Sequence, residues 1–514
     1  MKRHLHLTIL TLITASLSLT GCSYVFRLLT KAGGREEITT LSKTKMQYTY
    51  KDYLNHNVYD MDGAPSTGNV KLLVIPVWFK DSSYYIKTDA KRNTLRQDIQ
   101  KAYFGSTTDT GWNSVSSFYA TESGGKLNLT GTVSEWYECG YNSSYFYSDP
   151  SRTNDLVASA VNWYKSTTGK SALTEFDSDQ NGYIDGVMLI YASPNYVTLQ
   201  NKSADNMWAY CFWLQGNNAN RNNPQPNAFF WASYDFLYGD NTISTYHAGD
   251  TSHCKLDTHT YIHEMGHVFG LTDYYDYSNQ YSPAGGSTMQ DYNICGHDPY
   301  SVMALGWAEP YIPYNTCQLE LKPFQDSHEL ILLPSGSSRS VFDEYLLLEF
   351  YTPTGLNEFD HKYQYLGKYP EGPSKYGIRL WHVDARLISL YPNDPDTGQV
   401  SVGVNKIENN HGVYHLMSNT YYSEETEGYI SIMGKEYADY NLLQLIRNDK
   451  SETHQNSYVM DDHSIFGQNS SFSPNDMSKQ FQKSGKFNNG ASINWSFKVD
   501  KVESNRAVIT VTKK

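Results

Sequence analysis

The stretch from Asp257 to Asp276 constrains this chain most, because it contains the pattern His263-Glu264-x-x-His267. Residues four apart lie on one face of a helix, so both imidazoles can reach a single metal ion. Glu264 then lies beside the open coordination position, where a general base is needed. The pattern therefore predicts a helix that carries a catalytic metal site.

A third metal ligand is expected shortly after the second histidine. Gly270 follows His267 by three residues and can end the helix, because glycine adopts positive φ at little cost. The chain then turns back, and Asp273 can supply an oxygen from below the histidines. Two histidines, one carboxylate and a water form the arrangement of a catalytic zinc site. Asp276 is the alternative third ligand, and a helix with satisfied surface histidines is the interpretation without a metal.

The start of the chain has the pattern of an export signal. A basic beginning is followed at residues 5–19 by a mostly apolar stretch, which is too short and too polar for a convincing membrane span. Leu19-Thr20-Gly21-Cys22 resembles a bacterial lipobox. We therefore expect residues 1–21 to be a lipoprotein signal peptide, Cys22 to be lipidated, and the mature protein to be anchored at the cell surface. An ordinary secretion signal with an incidental cysteine is the alternative.

Composition fits an exported globular protein. Apolar residues make up 39% of 514 residues and the mean hydropathy is −0.57, so a polar surface can surround a large core. The net charge of −13 argues against nucleic acid as a partner. Of the six cysteines, five remain after Cys22, an odd number without C-x-x-C, so we expect no disulfide framework.

Patterns along the chain divide it into further parts. Residues 22–68 are polar and predict a lipid-anchored linker or extension. Residues 69–314 predict the catalytic domain, which begins with a nearly continuous apolar run typical of a buried strand. In residues 315–514 short branched and aromatic runs replace the helical patterns, so we expect a β-rich, sandwich-like region. The predicted fold class is α/β (α+β) followed by this β-rich region.

An oxygen-rich segment at residues 177–185 predicts a second metal site. Asp177, Asp179, Asn181 and Asp185 occupy loop positions 1, 3, 5 and 9, with glycine at position 6, which resembles the first part of an EF-hand calcium loop. Position 12 is Met188 and not glutamate, so a calcium ion must recruit another oxygen or a water. We predict a structural calcium site, with a plain Asx-turn loop as the alternative.

Several separated segments resemble the M6 family of secreted metallopeptidases, the immune inhibitor A type. The segments are 73–77, 114–119, 124–127, 177–182, 263–276, Pro299 and 305–307. The resemblance spans roughly residues 65 to 385. It implies a zinc endopeptidase with a metzincin-like catalytic domain and bound calcium. Thr272 stands where relatives often have proline, a difference that should not affect metal ligation.

The segment after the histidines resembles a metzincin Met-turn. Met289 follows Gly285-Gly286, which supplies a tight turn, and Met303 is the competing candidate. Tyr292 lies shortly beyond and is a candidate for stabilising an oxyanion. His297 is expected to be a structural residue or to support a metal ligand.

Together these patterns predict a lipid-anchored extracellular zinc endopeptidase that acts on proteins or peptides. Zn²⁺ would be held by His263, His267 and Asp273, with Glu264 as general base and Ca²⁺ in the oxygen-rich loop. The alternative is a surface lipoprotein, an adhesin or binding protein with an inactive metallopeptidase-like domain. The presence of Glu264 argues against this alternative, because a site that no longer catalyses hydrolysis has no chemical need for that carboxylate. A zinc hydrolase of non-peptide bonds is a third possibility.

Overall fold

The computed structural model describes most of the chain after residue 37. The described residues are 38–55, 62–214, 216, 218–239, 254–337, 339–365, 369–390, 400–404, 413–420 and 440–514. The predicted signal peptide and Cys22 lie outside these residues. Contacts group Leu41–Lys514 into one compact unit. Within the described part, no helix has the length and apolar character needed to cross a bilayer.

The first half of the described chain is built on a six-stranded sheet. Its strands, with a small two-stranded pair, are β1 (Gly68–Trp78), β2 (Leu127–Val133), β3 (Tyr137–Glu138), β4 (Tyr183–Ile184), β5 (Val187–Tyr191), β6 (Tyr210–Trp213), β7 (Gln225–Pro226) and β8 (Ala228–Ser233). The sheet order is β2-β1-β5-β8-β6, with β3 beside β1, while β4 pairs with β7. All pairs in the large sheet are parallel except β6 with β8. Strand β6 is therefore an antiparallel edge strand.

Helices cover both faces of this sheet. The α-helices of the described residues are Tyr50–Asn55, Asp89–Phe104, Thr107–Thr110, Val115–Glu122, Pro150–Thr167, His259–Val268, Met289–Tyr292, Pro299–Ala304, Phe324–Ser327 and Glu358–Lys362. Alternate residues of β1 explain the layering, because Leu72 and Val74 join one apolar cluster and Leu73 and Ile75 join another. The helix Pro150–Thr167 packs into the second cluster, and His259–Val268, called the histidine helix below, packs into the first.

The second half of the chain is rich in antiparallel strands. They are β9 (Cys317–Leu321), β10 (Leu330–Pro334), β11 (Glu344–Tyr351), β12 (Gly377–Asp384), β13 (Leu387–Leu390), β14 (Val400–Val404), β15 (Val413–His415), β16 (Leu443–Ile446), β17 (Ser471–Phe472), β18 (Trp495–Glu503) and β19 (Arg506–Lys513). The sheets β10-β11-β12-β16 and β17-β18-β19-β9 share one apolar cluster, and β14-β13-β15 form a third sheet. Residues 315–514 are called the β-rich region below.

The sheet β10-β11-β12-β16 contributes to two cores. On β11, Leu346 and Leu348 pack toward the sheet of β18 and β19, whereas Tyr345 and Leu347 join the cluster that contains the histidine helix. This alternation follows from the two-residue period of a strand. The whole is a mixed α/β structure, and the predicted boundary at residue 314 stays a prediction.

Candidate active site

The histidine helix ends before the glycine that was expected to end it. Asp257 accepts a hydrogen bond from the backbone N–H of His259, the first helical residue, at 3.0 Å. The helix ends at Val268, and Gly270 has φ +98°, a conformation that favours glycine. A side chain at Gly270 would also meet Leu54, whose Cδ1 lies 3.0 Å from the position of an added Cβ. The chain therefore reverses at Gly270 and returns under the helix.

The reversal brings three ligand-type groups together. The Nε2 atoms of His263 and His267 are 3.2 Å apart, and Asp273 Oδ1 lies 2.9 Å from the first and 3.3 Å from the second. His263 donates from Nδ1 to the Met289 carbonyl at 2.7 Å, and His267 donates from Nδ1 to the Leu271 carbonyl at 2.8 Å. Each carbonyl fixes the tautomer of its imidazole and points Nε2 toward the other groups.

Asp273 is thus beside the histidines, whereas Asp276 has a different environment. Asp276 is buried and accepts hydrogen bonds from the backbone of Ser278, Gln280 and Tyr281. These bonds hold the loop after Asp273 in shape. Of the two aspartates considered as third ligand, the described geometry brings only Asp273 to the histidines.

Tyr277 was not anticipated from the sequence. Its hydroxyl donates to Asp273 Oδ2, which leaves Oδ1 directed at the two histidines. The ring of Tyr275 lies nearly parallel to that of His263, with centroids 6.5 Å apart. A signal was present in the sequence, because these tyrosines follow Asp273 within four residues, but their directions depend on how the loop turns.

Glu264 lies in the same helix and has an incompletely satisfied carboxylate. Glu264 is 6% exposed, and its Oε2 atom has no hydrogen-bond partner among the described residues. Burial raises the pKa of Glu264, while His267 and His263 oppose that rise. The backbone of Cys211 in edge strand β6 also bonds to Glu264. For His267, burial lowers the pKa, but the negative charge of Asp273 and its hydrogen bond raise it overall to about 9.

The two candidate methionines have different places. Met289 supplies the carbonyl that binds His263, and its side chain is buried in the core beside the histidine helix. Met303 is buried in the helix Pro299–Ala304. The direct contact with a histidine favours Met289 as the residue beneath the site.

Tyr292 and His297 surround the site less directly. The ring of Tyr292 packs against Tyr369, with centroids 5.6 Å apart, and its hydroxyl bonds to Ser282. Its role in stabilising an oxyanion stays a prediction. His297 is fully buried beside Phe118 and Tyr119, and burial lowers its pKa to about 3.

A second group of ligand atoms lies in the oxygen-rich loop. Carboxylate oxygens of Asp177, Asp179 and Asp185 lie within 4.8 Å of one another. Gly182 has φ +99°, which confirms the expected sharp turn. Asp185 is fully buried, and its Oδ1 has no hydrogen-bond partner in the described part of the chain. Burial raises the pKa of Asp185 to about 7.

Two residues from the predicted linker, Lys51 and Asp62, contact this loop. Lys51 Nζ lies 2.6 Å from Asp62 Oδ1 and 3.0 Å from Asp179 Oδ2. Asp62 Oδ2 accepts from Asn181 Nδ2 at 2.9 Å, while Asn181 Oδ1 accepts from the backbone of Tyr183. Asn181 therefore faces the carboxylates with its amide NH₂, and an oxygen-ligand role requires the amide to turn over. No local sequence signal connects Lys51 or Asp62 with this loop.

Comparison with known families gave a match to a peptidase domain. Residues 57–297 match the catalytic domain of the immune inhibitor A peptidase family M6. The matched segment contains both groups of ligand atoms and Glu264. A comparison with curated proteins gave no match.

Proposed function

We propose that this protein is an extracellular zinc endopeptidase with a metzincin-like site, because residues 57–297 match the catalytic domain of the M6 peptidases. One observation carries the proposal. His263 Nε2, His267 Nε2 and Asp273 Oδ1 converge within 3.3 Å, and the buried Glu264, in the helix of the two histidines, has a carboxylate oxygen without a hydrogen-bond partner among the described residues. Two imidazoles, one carboxylate and a nearby acid–base group are what metal-assisted hydrolysis needs.

The chemistry of the donor set fits zinc. Nitrogen and carboxylate oxygen are common zinc ligands, and three protein ligands leave a position for water and substrate. Both imidazoles are oriented by backbone carbonyls and Asp273 is oriented by Tyr277, as is typical of metal ligands. A zinc ion held there would polarise the scissile carbonyl and lower the pKa of its water toward ~7.

Glu264 performs the proton transfers in this proposal. Its carboxylate takes a proton from the attacking water and then delivers that proton to the leaving amine nitrogen. Burial raises the pKa of Glu264, and a higher pKa makes a carboxylate a better base when it is ionised. The backbone contact with Cys211 keeps the carboxylate beside edge strand β6.

Strand β6 supports a peptide as substrate. It is the edge strand of the described sheet, and edge strands are where extended peptides commonly add by backbone pairing. Phe212 on this strand is 46% exposed and offers apolar contact beside the backbone. A peptide that adds a strand there would lie next to Glu264, which Cys211 of the same strand contacts.

We further propose that the oxygen-rich loop binds calcium for structural purposes. Three carboxylates place oxygens within 4.8 Å of one another, and one buried oxygen of Asp185 has no hydrogen-bond partner among the described residues. The Asp62 carboxylate lies next to Asn181 and offers a further oxygen ligand in place of the glutamate that loop position 12 lacks. Calcium titration followed by thermal unfolding tests this role, and an unchanged midpoint at saturating calcium would contradict it.

Attachment to the cell surface is proposed through lipidated Cys22, in accordance with its lipobox-like sequence. Labelling cells with a radioactive fatty acid should mark the wild-type protein and leave Cys22→Ser unmarked. Label in both proteins would exclude Cys22 as the lipidation site.

The enzymatic proposal is tested by metal analysis and casein cleavage of residues 23–514. We expect one zinc per chain and cleavage that a zinc chelator abolishes. Glu264→Gln should retain zinc but lose activity by at least about a thousandfold, because only the proton-transfer group is removed. Glu309→Gln, at a partly exposed surface position, is the matched control and should remain active. A Glu264→Gln protein with nearly full activity would refute the mechanism, and zinc binding without cleavage of casein would favour the binding-protein alternative.

A further inference from the structure

The loop at residues 273–291 is held by residues outside the segment that matches the peptidase family. Asn419 is 2% exposed, and its Nδ2 donates to the carbonyls of Tyr274 and Leu443, each at 2.8 Å. Its Oδ1 accepts from the backbone N–H of Leu443 at 3.1 Å. Tyr274 directly follows Asp273, so Asn419 ties the backbone at the third ligand candidate to the start of β16.

The next residue adds a second attachment. Thr420 Oγ1 accepts from the backbone N–H of Tyr277 at 3.3 Å, and the Tyr277 hydroxyl donates to Asp273 Oδ2. The β-rich region thereby fixes the residue that orients the Asp273 carboxylate. Further backbone bonds run from Ser282 to Asn456, from Leu445 to Pro283 and from Met460 to Gly285, at 2.8, 2.8 and 2.6 Å.

The β-rich region also reaches the start of the histidine helix. Asp360 Oδ1 lies 3.1 Å from His259 Nε2, and Asp360 Oδ2 accepts from the backbone N–H of Cys295 at 2.7 Å. The His259 ring is stacked between Trp112 and Tyr365, at centroid distances of 4.0 and 4.3 Å. One buried carboxylate thus joins the first turn of the helix to the segment that follows the Met289 turn.

From these contacts we infer that Asn419 and Asp360 are positioning residues for the metal ligands. The β-rich region then helps to hold the metal ligands in their active geometry and is not an independent binding domain. Ligand groups must be held within about 0.5 Å of their productive geometry, and support around a metal site changes metal affinity by about 10- to 100-fold. This inference rests on the proposed function and adds a role for residues beyond its family match.

The test compares two buried amides with the same bonding pattern in the full mature chain. Gln480 is 1% exposed, donates to the carbonyls of Arg447 and Asp449, and accepts from the N–H of Arg447. These partners all belong to the β-rich region. Asn419→Ala and Gln480→Ala therefore remove equivalent bonds, but only the first removes a bond to the metal-ligand loop.

Four quantities are measured for both variants: the zinc dissociation constant, kcat and KM for casein-derived peptide cleavage, and the visible absorption spectrum with cobalt(II) in place of zinc. Asn419→Ala should weaken zinc binding at least about tenfold, lower kcat more than it raises KM, and alter the cobalt spectrum. Gln480→Ala should lower the unfolding midpoint and leave the cobalt spectrum and kcat unchanged. Equal effects of the two variants on spectrum and kcat would overturn the inference.

A milder pair of variants applies if Asn419→Ala does not fold. Thr420→Val removes the acceptor for Tyr277 at almost constant volume, and Thr420→Ser retains it. The cobalt spectrum should change in Thr420→Val and recover in Thr420→Ser, and unchanged spectra in both would contradict the inference. Failure of the wild-type chain to cleave peptides would instead refute the proposed function, whatever the variants show.

Discussion

The two groups of ligand atoms differ in how their charges are balanced. At the histidine helix, two imidazoles surround one carboxylate, and each imidazole is already held by a backbone carbonyl. In the oxygen-rich loop three carboxylates approach one another, and their charge is opposed by the single ammonium of Lys51 among the described residues near them. Like charges at short range disfavour ionisation unless a cation is close.

This difference distinguishes a preorganised site from one that needs its ion. The histidine site keeps its shape through hydrogen bonds within the protein, so removing zinc should leave it largely folded. The oxygen-rich loop brings three carboxylates within 4.8 Å of one another, and their mutual repulsion costs free energy until a cation or a proton opposes it. Zinc should therefore matter mainly for activity, and calcium mainly for stability.

Loss of the third ligand candidate should have the largest effect. Asp273→Ala is expected to lower kcat/KM by at least about a thousandfold and to weaken zinc binding, because one of three converging donors is removed. Asp276→Asn should retain zinc and show only a lower unfolding midpoint, since Asp276 bonds to its own loop. Zinc content and peptide cleavage of both variants are the measurements. Loss of zinc in Asp276→Asn alone would reverse the assignment.

Neutralising the unsatisfied carboxylate of the oxygen-rich loop should have the next largest effect. Asp185→Asn is expected to stabilise the calcium-free protein by about 1–3 kcal/mol, because it removes a buried charge while an oxygen remains for Ser178. The same variant should lose most of the stabilisation that calcium gives. Chemical unfolding with calcium and with a calcium chelator measures both effects.

The exposed Asp155→Asn is the control for this comparison and should behave like the wild type. If Asp185→Asn destabilises the calcium-free protein instead, the oxygen-rich loop does not hold an uncompensated charge. The proposed difference in charge balance between the histidine site and the oxygen-rich loop would then be wrong.

The sequence predicted those features that depend on neighbours along the chain. The helix with two histidines on one face, the glycine that ends it and the sharp turn at Gly182 follow from local conformational preferences. The apolar run that begins the catalytic domain forms β1.

The remaining features depend on distant segments. Asp62 and Asn181 are 119 residues apart in the chain, and Tyr274 and Asn419 are 145 residues apart. Such contacts arise from strand order and from the path of the loops, which no short pattern encodes. The choice between Asp273 and Asp276 has the same origin, since it is decided by how the loop after Gly270 turns.

Removal of the hydroxyl that orients Asp273 should have a smaller effect than removal of Asp273. Tyr277→Phe is expected to weaken zinc binding about tenfold, because the second oxygen of the ligand carboxylate loses its donor. The calcium response should not change, since the oxygen-rich loop is untouched. Competition with a zinc chelator measures the affinity, and Tyr84→Phe at an exposed position is the control. Equal zinc affinities in the two variants would show that Tyr277 does not support the metal ligand.

The smallest effect is expected at Lys51, whose ammonium lies 3.0 Å from Asp179 and 2.6 Å from Asp62. An internal cation competes with calcium for the same carboxylates, so Lys51→Met should tighten calcium binding about fivefold, or about 1 kcal/mol. It should also lower the stability of the calcium-free protein, because the carboxylates lose their cation. Lys170→Met removes an exposed ion pair with Glu175 and is the control for a general loss of positive charge. Calorimetric titration with calcium measures the calcium affinity of each variant. Weaker binding in Lys51→Met would mean that Lys51 holds Asp62 and Asp179 in place for the ion and does not substitute for it.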